Sequence, residues 1–578
     1  MDRLEALFAS VADGGTTTAQ RIQEKIAASG IRVDDFRLSN TMARLAEFGD
    51  RPITFGAFQE AVASELLMLN RVFTNQLVIP DWKIFCSDIE TIYNVVEPDK
   101  GGRNADYIPI LRDADPDKWG VAVCTVDGQR LALGDVDIYH SIQSVSKPLT
   151  YAFAIAEQGF ECVTQYVGVE PSGRPFNDLD LLPDSRPFNP WVNTGAIMMA
   201  GLVASIRPQK NSRDITQEIM ELWSALCGEM APVLFSQEIM LSERETADNN
   251  FAIAYLLKGR KGLPGGVDLH TMMDVYLSCC SIEMTANMLA VAAATLANGG
   301  VCPTTGRQIL TTEVVKKTLA VMQAAGMYDS AGVFTLEVGL PAKSGVAGAV
   351  IVVVPSLMGF ATFSPRLDPY GNSVRGVAFC RQLVNRFTFH MYDNLSGGRT
   401  GCKRDPRASQ STRKKRDLSD LCWAVSYGDL YAIKVRDLML DCMLSICLAD
   451  GNIEEQEIEM MASAYAEIIN QPADLDHLRG LAQEHFQRSI HSDGATVNAF
   501  DNLISRLYQE CSLLDDNGRE MILESAFRVA CADGIIQDSE DRQLRAIAKA
   551  LAINEGVLEL EISQFQRDVA VKPGQPLS

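Results

Sequence analysis

Between residues 396 and 417 the chain runs through glycine, serine and threonine with Arg399, Lys403, Arg404, Arg407 and the cluster Arg413-Lys414-Lys415-Arg416, and it carries almost no large apolar side chain. Such a segment cannot bury enough surface to offset the entropy of ordering it, so the chain must fold as separate bodies on either side. The expected linker is 393–418, either a solvated spacer or a basic strip that docks on an acidic partner or on the acidic domains beside it. The chain has 578 residues, 47% hydrophobic and 22% charged, which allows several domains with large cores and excludes wholesale disorder.

The 52 Lys and Arg against 74 Asp and Glu give a net charge of −22, which repels nucleic acid and anionic membrane. The start, Met1-Asp2-Arg3-Leu4-Glu5, has neither the basic-then-apolar order of a signal peptide nor the arginine-rich composition of a transit peptide, so a cytoplasmic location is expected. The longest apolar run, 346–361, contains Gly348, Pro355 and Gly359 and is too short to span a bilayer; it reads as strands around a turn. The 14 cysteines include no C-x-x-C pair and read as reduced, mostly buried thiols.

Residues 1–95 read as short amphipathic helices, among them 18–29, 41–48 and 58–67. Asp13 and Asp34-Asp35 do not complete a calcium-loop spacing, so the expectation is an EF-hand-like lead-in domain without calcium. From 96 to 392 the texture alternates between β-rich runs (119–126, 346–354) and Gly/Ala-rich helices (194–206, 284–298), as in an α/β or α+β enzyme body. Residues 419–566 read as helical with an internal repeat, and 567–578 as a disordered tail. Leu448-Ala449-Asp450-Gly451 with Glu457 matches Cys531-Ala532-Asp533-Gly534 with Glu540. In each copy a helix ends at Ala-Asp-Gly, the Asp is expected to cap the next helix and the Glu to open it, which predicts a pseudo-symmetric bundle. The paired acids read as capped turns or, alternatively, as a metal site.

Gln143-Ser144-Val145-Ser146-Lys147-Pro148 is followed by Leu149, Ala152, Phe153 and Ala156 at helical spacing. Pro148 fits only a first helical turn, which places Ser144 and Lys147 at i and i+3 on one face. A desolvated lysine can act as the base that turns a serine into a nucleophile. Ser146 remains a rival hydroxyl. Lys343-Ser344-Gly345, leading into a β-rich run, supplies a further element of S-x-x-K acyl-transfer chemistry in the expected order. The body's histidines, His140, His270 and His390, sit in no G-x-S-x-G or H-E-x-x-H context, which disfavours a Ser-His-Asp hydrolase and a zinc protease. Ser242 and Glu245 read as a capping box starting a helix, which would put Glu243 and Asn250 on one face, suited to an amino-acid head group.

Together, Ala105-Asp106-Tyr107-Ile108-Pro109, residues 120–130, 143–148, Glu170-Pro171-Ser172-Gly173, Asn189-Pro190-Trp191-Val192-Asn193, residues 242–253, Gly326-Met327-Tyr328-Asp329 and residues 343–348 resemble the serine-dependent glutaminase family. The resemblance implies a β-lactamase/transpeptidase-like fold for the middle of the chain, between an all-α N-terminal domain like that of kidney-type animal enzymes and an all-α C-terminal domain similar to TerB-like domains. It implies Ser144 as nucleophile, Lys147 as proton acceptor and Tyr328 as proton shuttle, with the Ser144 and Val346 amides as oxyanion hole. Tyr107, Gln143, Asn193, Glu243, Asn250, Tyr276, Tyr328 and Val346 would surround the substrate, and Lys343, Ser344 and Gly345 would support the site. The roles of the tyrosines come from the resemblance alone.

The implied activity is hydrolysis of L-glutamine to glutamate and ammonia with no metal or organic cofactor, in a dimer or tetramer, with residues 173–189 gating the site. The ankyrin repeats of the animal enzymes are absent, and a bundle that could take a protein partner or metal stands in their place. A glutamine-binding sensor or scaffold, or an S-x-x-K acyl-transferase on peptides or β-lactams, are the alternatives.

Overall fold

The computed structural model describes residues 3–393, 403–408, 421, 430–449, 455–469, 478–481, 499–511, 514, 516–532, 535–553 and scattered positions to 565. It divides into two units, Met1–Leu383 with Phe389–Met391, and Val384–Thr388 with Tyr392–Ser578. No described helix is long and apolar enough to cross a membrane, and every described cysteine is free.

After a short helix, Arg3–Ala9, the first unit continues with helices Ala19–Ala28, Ser39–Phe48, Phe55–Val62 and Leu66–Phe73, which close over Ile22, Ile26, Leu45, Phe58, Val62 and Leu69. Thr18 caps helix Ala19–Ala28 by accepting from the Arg21 amide. The helix expected at 58–67 is instead broken: a 3-10 turn, Ala63–Glu65, separates two helices. Within this turn Glu65 accepts from Asn40 Nδ2 at 2.8 Å and from the Thr41 amide at 2.9 Å, which ties the break to the start of helix Ser39–Phe48. These helices join the body through one hairpin. Buried Gln129 donates to the Ser29 and Ile79 carbonyls at 2.8 and 2.9 Å, and Asp127 pairs with Arg71 at 2.6 Å.

The body is built on an antiparallel five-stranded sheet. Its strands are β1 (Gly120–Thr125), β2 (Arg130–Gly134), β6 (Ala342–Ser344), β7 (Ala349–Val354) and β8 (Met358–Phe363), in the order β2-β1-β8-β7-β6. A second sheet, β3-β5-β4, pairs His140–Ser141, Ile282–Met284 and Leu234–Phe235. The run at 346–361 is thus two buried strands around a turn, as its glycines and proline predict. Helix Ala286–Ala297 lies on β8, β1 and β7. Its backbone comes so close that a Cβ on Gly359 would overlap Ala293 and Ala294. Away from the sheet, helices Lys147–Gln158, Asn193–Ser205 and Leu269–Cys280 pack together as a helical lobe. β6 is an edge strand, and with the register Lys343↔Ile351 and Ser344↔Val350 it lies beside the turn 143–146 that leads into this lobe.

In the second unit, Leu430–Cys447 packs on Asp516–Ala530 around Leu438, Cys442, Ile446, Ile522 and Val529, with Glu455–Ile469, Ala499–Glu510 and Asp538–Ala550 completing the described bundle. Helices 430–447 and 455–469 correspond to 516–530 and 538–550, so the repeat in sequence is a repeated helix pair. The expectation that the Asp of each copy caps the following helix is corrected for the second: Gln537 is the cap, in a capping box with Glu540. Asp450, Gly451, Asp533 and Gly534, and with them the metal alternative, lie outside the described residues, as does the tail 567–578. The spacer expected at 393–418 is corrected at 403–408. Arg404 donates its amide to the Arg386 carbonyl at 2.9 Å and accepts from the Thr388 amide at 3.0 Å, so it adds a bridge to Phe387. The backbone there gains partners that the side-chain composition does not reveal.

Candidate active site

Ile142 is held by its amide on the Ile282 carbonyl at 2.8 Å, and the chain then makes one 3-10 turn, Gln143–Ser146, before helix Lys147–Gln158. Pro148 lies in the first turn, where its missing N–H costs nothing. Gln143 enters this turn at φ +45°, a left-handed conformation uncommon for a side-chain-bearing residue. The rival hydroxyl is accounted for: Ser146 donates to the Gln143 carbonyl at 2.7 Å inside the protein.

Lys147 is buried. Its Nζ donates to the Trp191 carbonyl and to Asn193 Oδ1, each at 2.9 Å, and among the described residues no carboxylate forms an ion pair with it. Burial lowers its pKa to about 8, against weaker opposing effects of Cys280 and Glu243. A neutral amine has two N–H bonds and one lone pair. With both donors engaged, the lone pair is left for a proton from the Ser144 side. Asn193 relays the anchoring, since its Nδ2 donates to Asn250 Oδ1 at 2.9 Å.

Facing this helix, the turn after β6 brings Gly345 so near that an added Cβ would be 2.7 Å from the Ile142 oxygen and 3.5 Å from the Ser144 nitrogen. Among the described residues neither the Ser144 nor the Val346 amide has a protein acceptor. Free backbone donors beside a nucleophile are what an oxyanion requires.

Tyr328, at φ +52°, donates its hydroxyl to the Ser344 carbonyl at 3.0 Å. Burial holds this phenol protonated, while the Ser144 hydroxyl beside it acts in the opposite direction. Phe176 of the 173–189 segment packs on the Tyr328 ring, centroids 4.7 Å apart. Glu243 is buried and accepts from Gln143 Nε2 at 3.1 Å; burial raises its pKa to about 7, partly offset by Gln143 and Lys147. Burial first, then Cys280 and Glu243, raise the Tyr276 phenol well above the usual tyrosine range. Tyr107 is 46% exposed as a residue, so the desolvation that raises its phenol, with Glu243 and then Tyr328 adding to it, acts at its hydroxyl end and not on the whole side chain.

The helix start expected at Ser242 is corrected. Ser236 is the cap of helix Gln237–Glu245, so Ser242 and Glu243 lie in its last turns and Asn250 belongs to the next helix, Asp248–Gly259. The two residues therefore do not share a helix face; the break at Thr246-Ala247 turns one helix into the next. Three contributors were not singled out in the sequence. The Trp191 carbonyl acts through its backbone, Cys280 reads as a core thiol, and Phe176 reads as a loop aromatic; only Trp191 had a signal, as part of the Asn189-Pro190-Trp191-Val192-Asn193 motif.

The family model for glutaminase matches residues 102–392. The liver isoform of glutaminase, mitochondrial, from Mus musculus is 37% identical over 466 residues, covering 78% of this chain and 76% of the relative. The chain belongs to the glutaminase family. Glutaminase 2 of Bradyrhizobium diazoefficiens is 43% identical over 307 residues, 53% of this chain and 48% of the relative. The solved structure of the probable glutaminase ybaS aligns with a TM-score of 0.50 at 36% identity, covering 54% of this chain and 99% of that one. The family models for an EF-hand domain and for tellurite resistance protein TerB match residues 3–80 and 438–560, so in this member of the glutaminase family the catalytic region is flanked by two helical regions.

Proposed function

We propose that the protein hydrolyses the side-chain amide of L-glutamine to L-glutamate and ammonia through a γ-glutamyl ester on Ser144. The observation that carries this reading is Lys147, buried one turn from Ser144 with no ion pair among the described residues and with both donors of its neutral form already engaged. Ser144 Oγ attacks the amide carbon as its proton passes to Lys147, and the Ser144 and Val346 amides take the oxyanion. The C–N bond then breaks, and its nitrogen leaves as ammonia with the proton of Tyr328, which Lys147 restores. Water cleaves the ester by the same path in reverse. Glu243 takes the α-ammonium, while Gln143, Asn193, Asn250, Tyr107 and Tyr276 shape the head-group pocket, Ser344 and Gly345 support the oxyanion side, and Lys343 supports the site from behind the Tyr328 ring. The steps transfer protons and an acyl group only, so the reading invokes no cofactor.

Ammonia release from L-glutamine tests it, together with interception of the ester by hydroxylamine as γ-glutamyl hydroxamate. Ser144→Ala abolishes both, whereas Ser146→Ala retains them. Glutamine binding without ammonia release would replace the enzyme reading by a sensor. We further infer a dimer or tetramer, which light scattering decides, and a reducing compartment, the cytoplasm, supported by the free thiols and decided by fractionation. For the bundle we infer a protein partner held through its helical surface, tested by crosslinking in the native cell.

A further inference from the structure

Lys343 is an ionisable side chain at the site with no step of its own in the reaction above. It is fully buried, it forms no ion pair among the described residues, and its Nζ donates to the Ser344 carbonyl at 2.6 Å while lying 4.4 Å from the centroid of the Tyr328 ring. The Tyr328 hydroxyl donates to that same carbonyl at 3.0 Å. One oxygen thus holds two donors, and a shared acceptor binds each less firmly than a sole one. While the phenol proton is fully committed to Ser344, it is not available to the nitrogen that leaves.

We propose that Lys343 is a positioning residue which, by taking a share of the Ser344 carbonyl and lying on the face of the Tyr328 ring, holds the phenol where its proton passes to the departing amide nitrogen. This rests on the glutamine-hydrolysing reading. In the step concerned the amide C–N bond breaks with its electron pair on nitrogen, and the Tyr328 proton completes ammonia. The phenolate regains a proton from the Lys147 ammonium, which holds the one taken from Ser144. Lys343 gains and loses no proton. Without its amine, the Ser344 carbonyl falls wholly to the Tyr328 hydroxyl and proton delivery slows, while attack by Ser144 is untouched.

The test separates attack from leaving-group protonation by comparing kcat/KM for L-glutamine with that for its γ-(p-nitrophenyl) ester, whose leaving group departs as an anion and needs no proton. Lys343→Met in the full-length protein is expected to lower the glutamine value about tenfold or more, within the range for a lost general acid, and to leave the ester value within about threefold. Tyr328→Phe is expected to show the same split, and the double variant to be no worse than Tyr328→Phe alone, because both act on one proton.

Equal losses on amide and ester, or losses that multiply in the double variant, would overturn the proposal while leaving the glutaminase reading in place. If Lys343→Met does not fold, Tyr328→Phe decides by itself, since equal losses there remove the proton that Lys343 is said to position. Wild type that cleaves the ester but not glutamine, or a Ser144→Ala variant that still cleaves glutamine, would overturn the parent reading and the proposal with it.

Discussion

At Gly345 a single added methyl group would open the candidate oxyanion site by a definite amount. The φ of Gly345 is not left-handed, so alanine is acceptable to the backbone and only space decides. The added Cβ would lie 2.7 Å from the Ile142 carbonyl oxygen and 3.2 Å from Val145 Cγ2. Carbon–oxygen contacts settle at about 3.3 Å or more, so the turn after β6 and the turn before Ser144 must part by about 0.6 Å. Both sides are fixed: Ile142 by its amide on Ile282, and Gly345 by donating to the Ala349 carbonyl and accepting from the Gly348 amide, each at 2.9 Å. The separation therefore falls on the gap between the Ser144 and Val346 amides. Losing one oxyanion donor costs about 10²–10³ in kcat, or about 2.7–4 kcal/mol. Gly345→Ala is expected to lower kcat by that factor in a coupled ammonia assay, with KM little changed because the oxyanion exists only beyond the ground state. A folded variant with kcat within about threefold of wild type would refute the assignment of these amides.

Three further outcomes follow from burial. Burial disfavours charge on both Lys147, with a pKa of about 8, and Glu243, about 7, and the proposed reaction needs the first neutral and the second ionised; on that proposal kcat/KM measured from pH 6 to 9 should fall about tenfold per unit below 8 and more steeply below 7. Glu243, raised from 4.5 to about 7 in the folded state, contributes stability in its neutral form that is lost as pH rises through 7, so Glu243→Gln should raise the melting temperature at pH 8.5 by the equivalent of about 2–3 kcal/mol, the gain shrinking towards pH 5, while abolishing turnover. Gly359→Ala, which forces a methyl into the backbone at Ala293 and Ala294, should cost about 3 kcal/mol or more by overpacking and lower the thermal midpoint by several degrees.

Local rules made part of this legible in the sequence. Pro148 fixes the first turn of its helix, and with it the i, i+3 relation of Ser144 and Lys147. Glycines and a proline within an apolar run mark β7, a turn and β8. The failures came where two local signals compete or where the backbone acts without its side chain. Ser236 and Ser242 are both plausible caps, and the earlier one prevails by reaching the Ile239 amide at 3.2 Å. The 58–67 periodicity contains no sign of Glu65 turning to Thr41, a contact across 24 residues. Carbonyls such as those of Trp191 and Ser344 have no side-chain signature, and Tyr107, Tyr276 and Tyr328 converge only through the packing of distant elements, so composition and spacing leave them as ordinary aromatics.

The charges of the site acquire their meaning from what is missing around them. Lys147, Lys343 and Glu243 are all buried, and none forms an ion pair among the described residues. For each, burial is the largest influence and favours the neutral form. That state suits Lys147, which must accept a proton, but not Glu243, whose part in the proposed reaction is to face an ammonium. An α-amino acid resolves the conflict, because its ammonium supplies the opposite charge that lets Glu243 ionise in place, while the neutral side-chain amide asks for no countercharge at Lys147. A ligand without the α-ammonium would leave Glu243 protonated and lose that electrostatic gain. In this reading the buried carboxylate selects for the amino-acid head group by the charge it lacks, and the depressed lysine selects the chemistry.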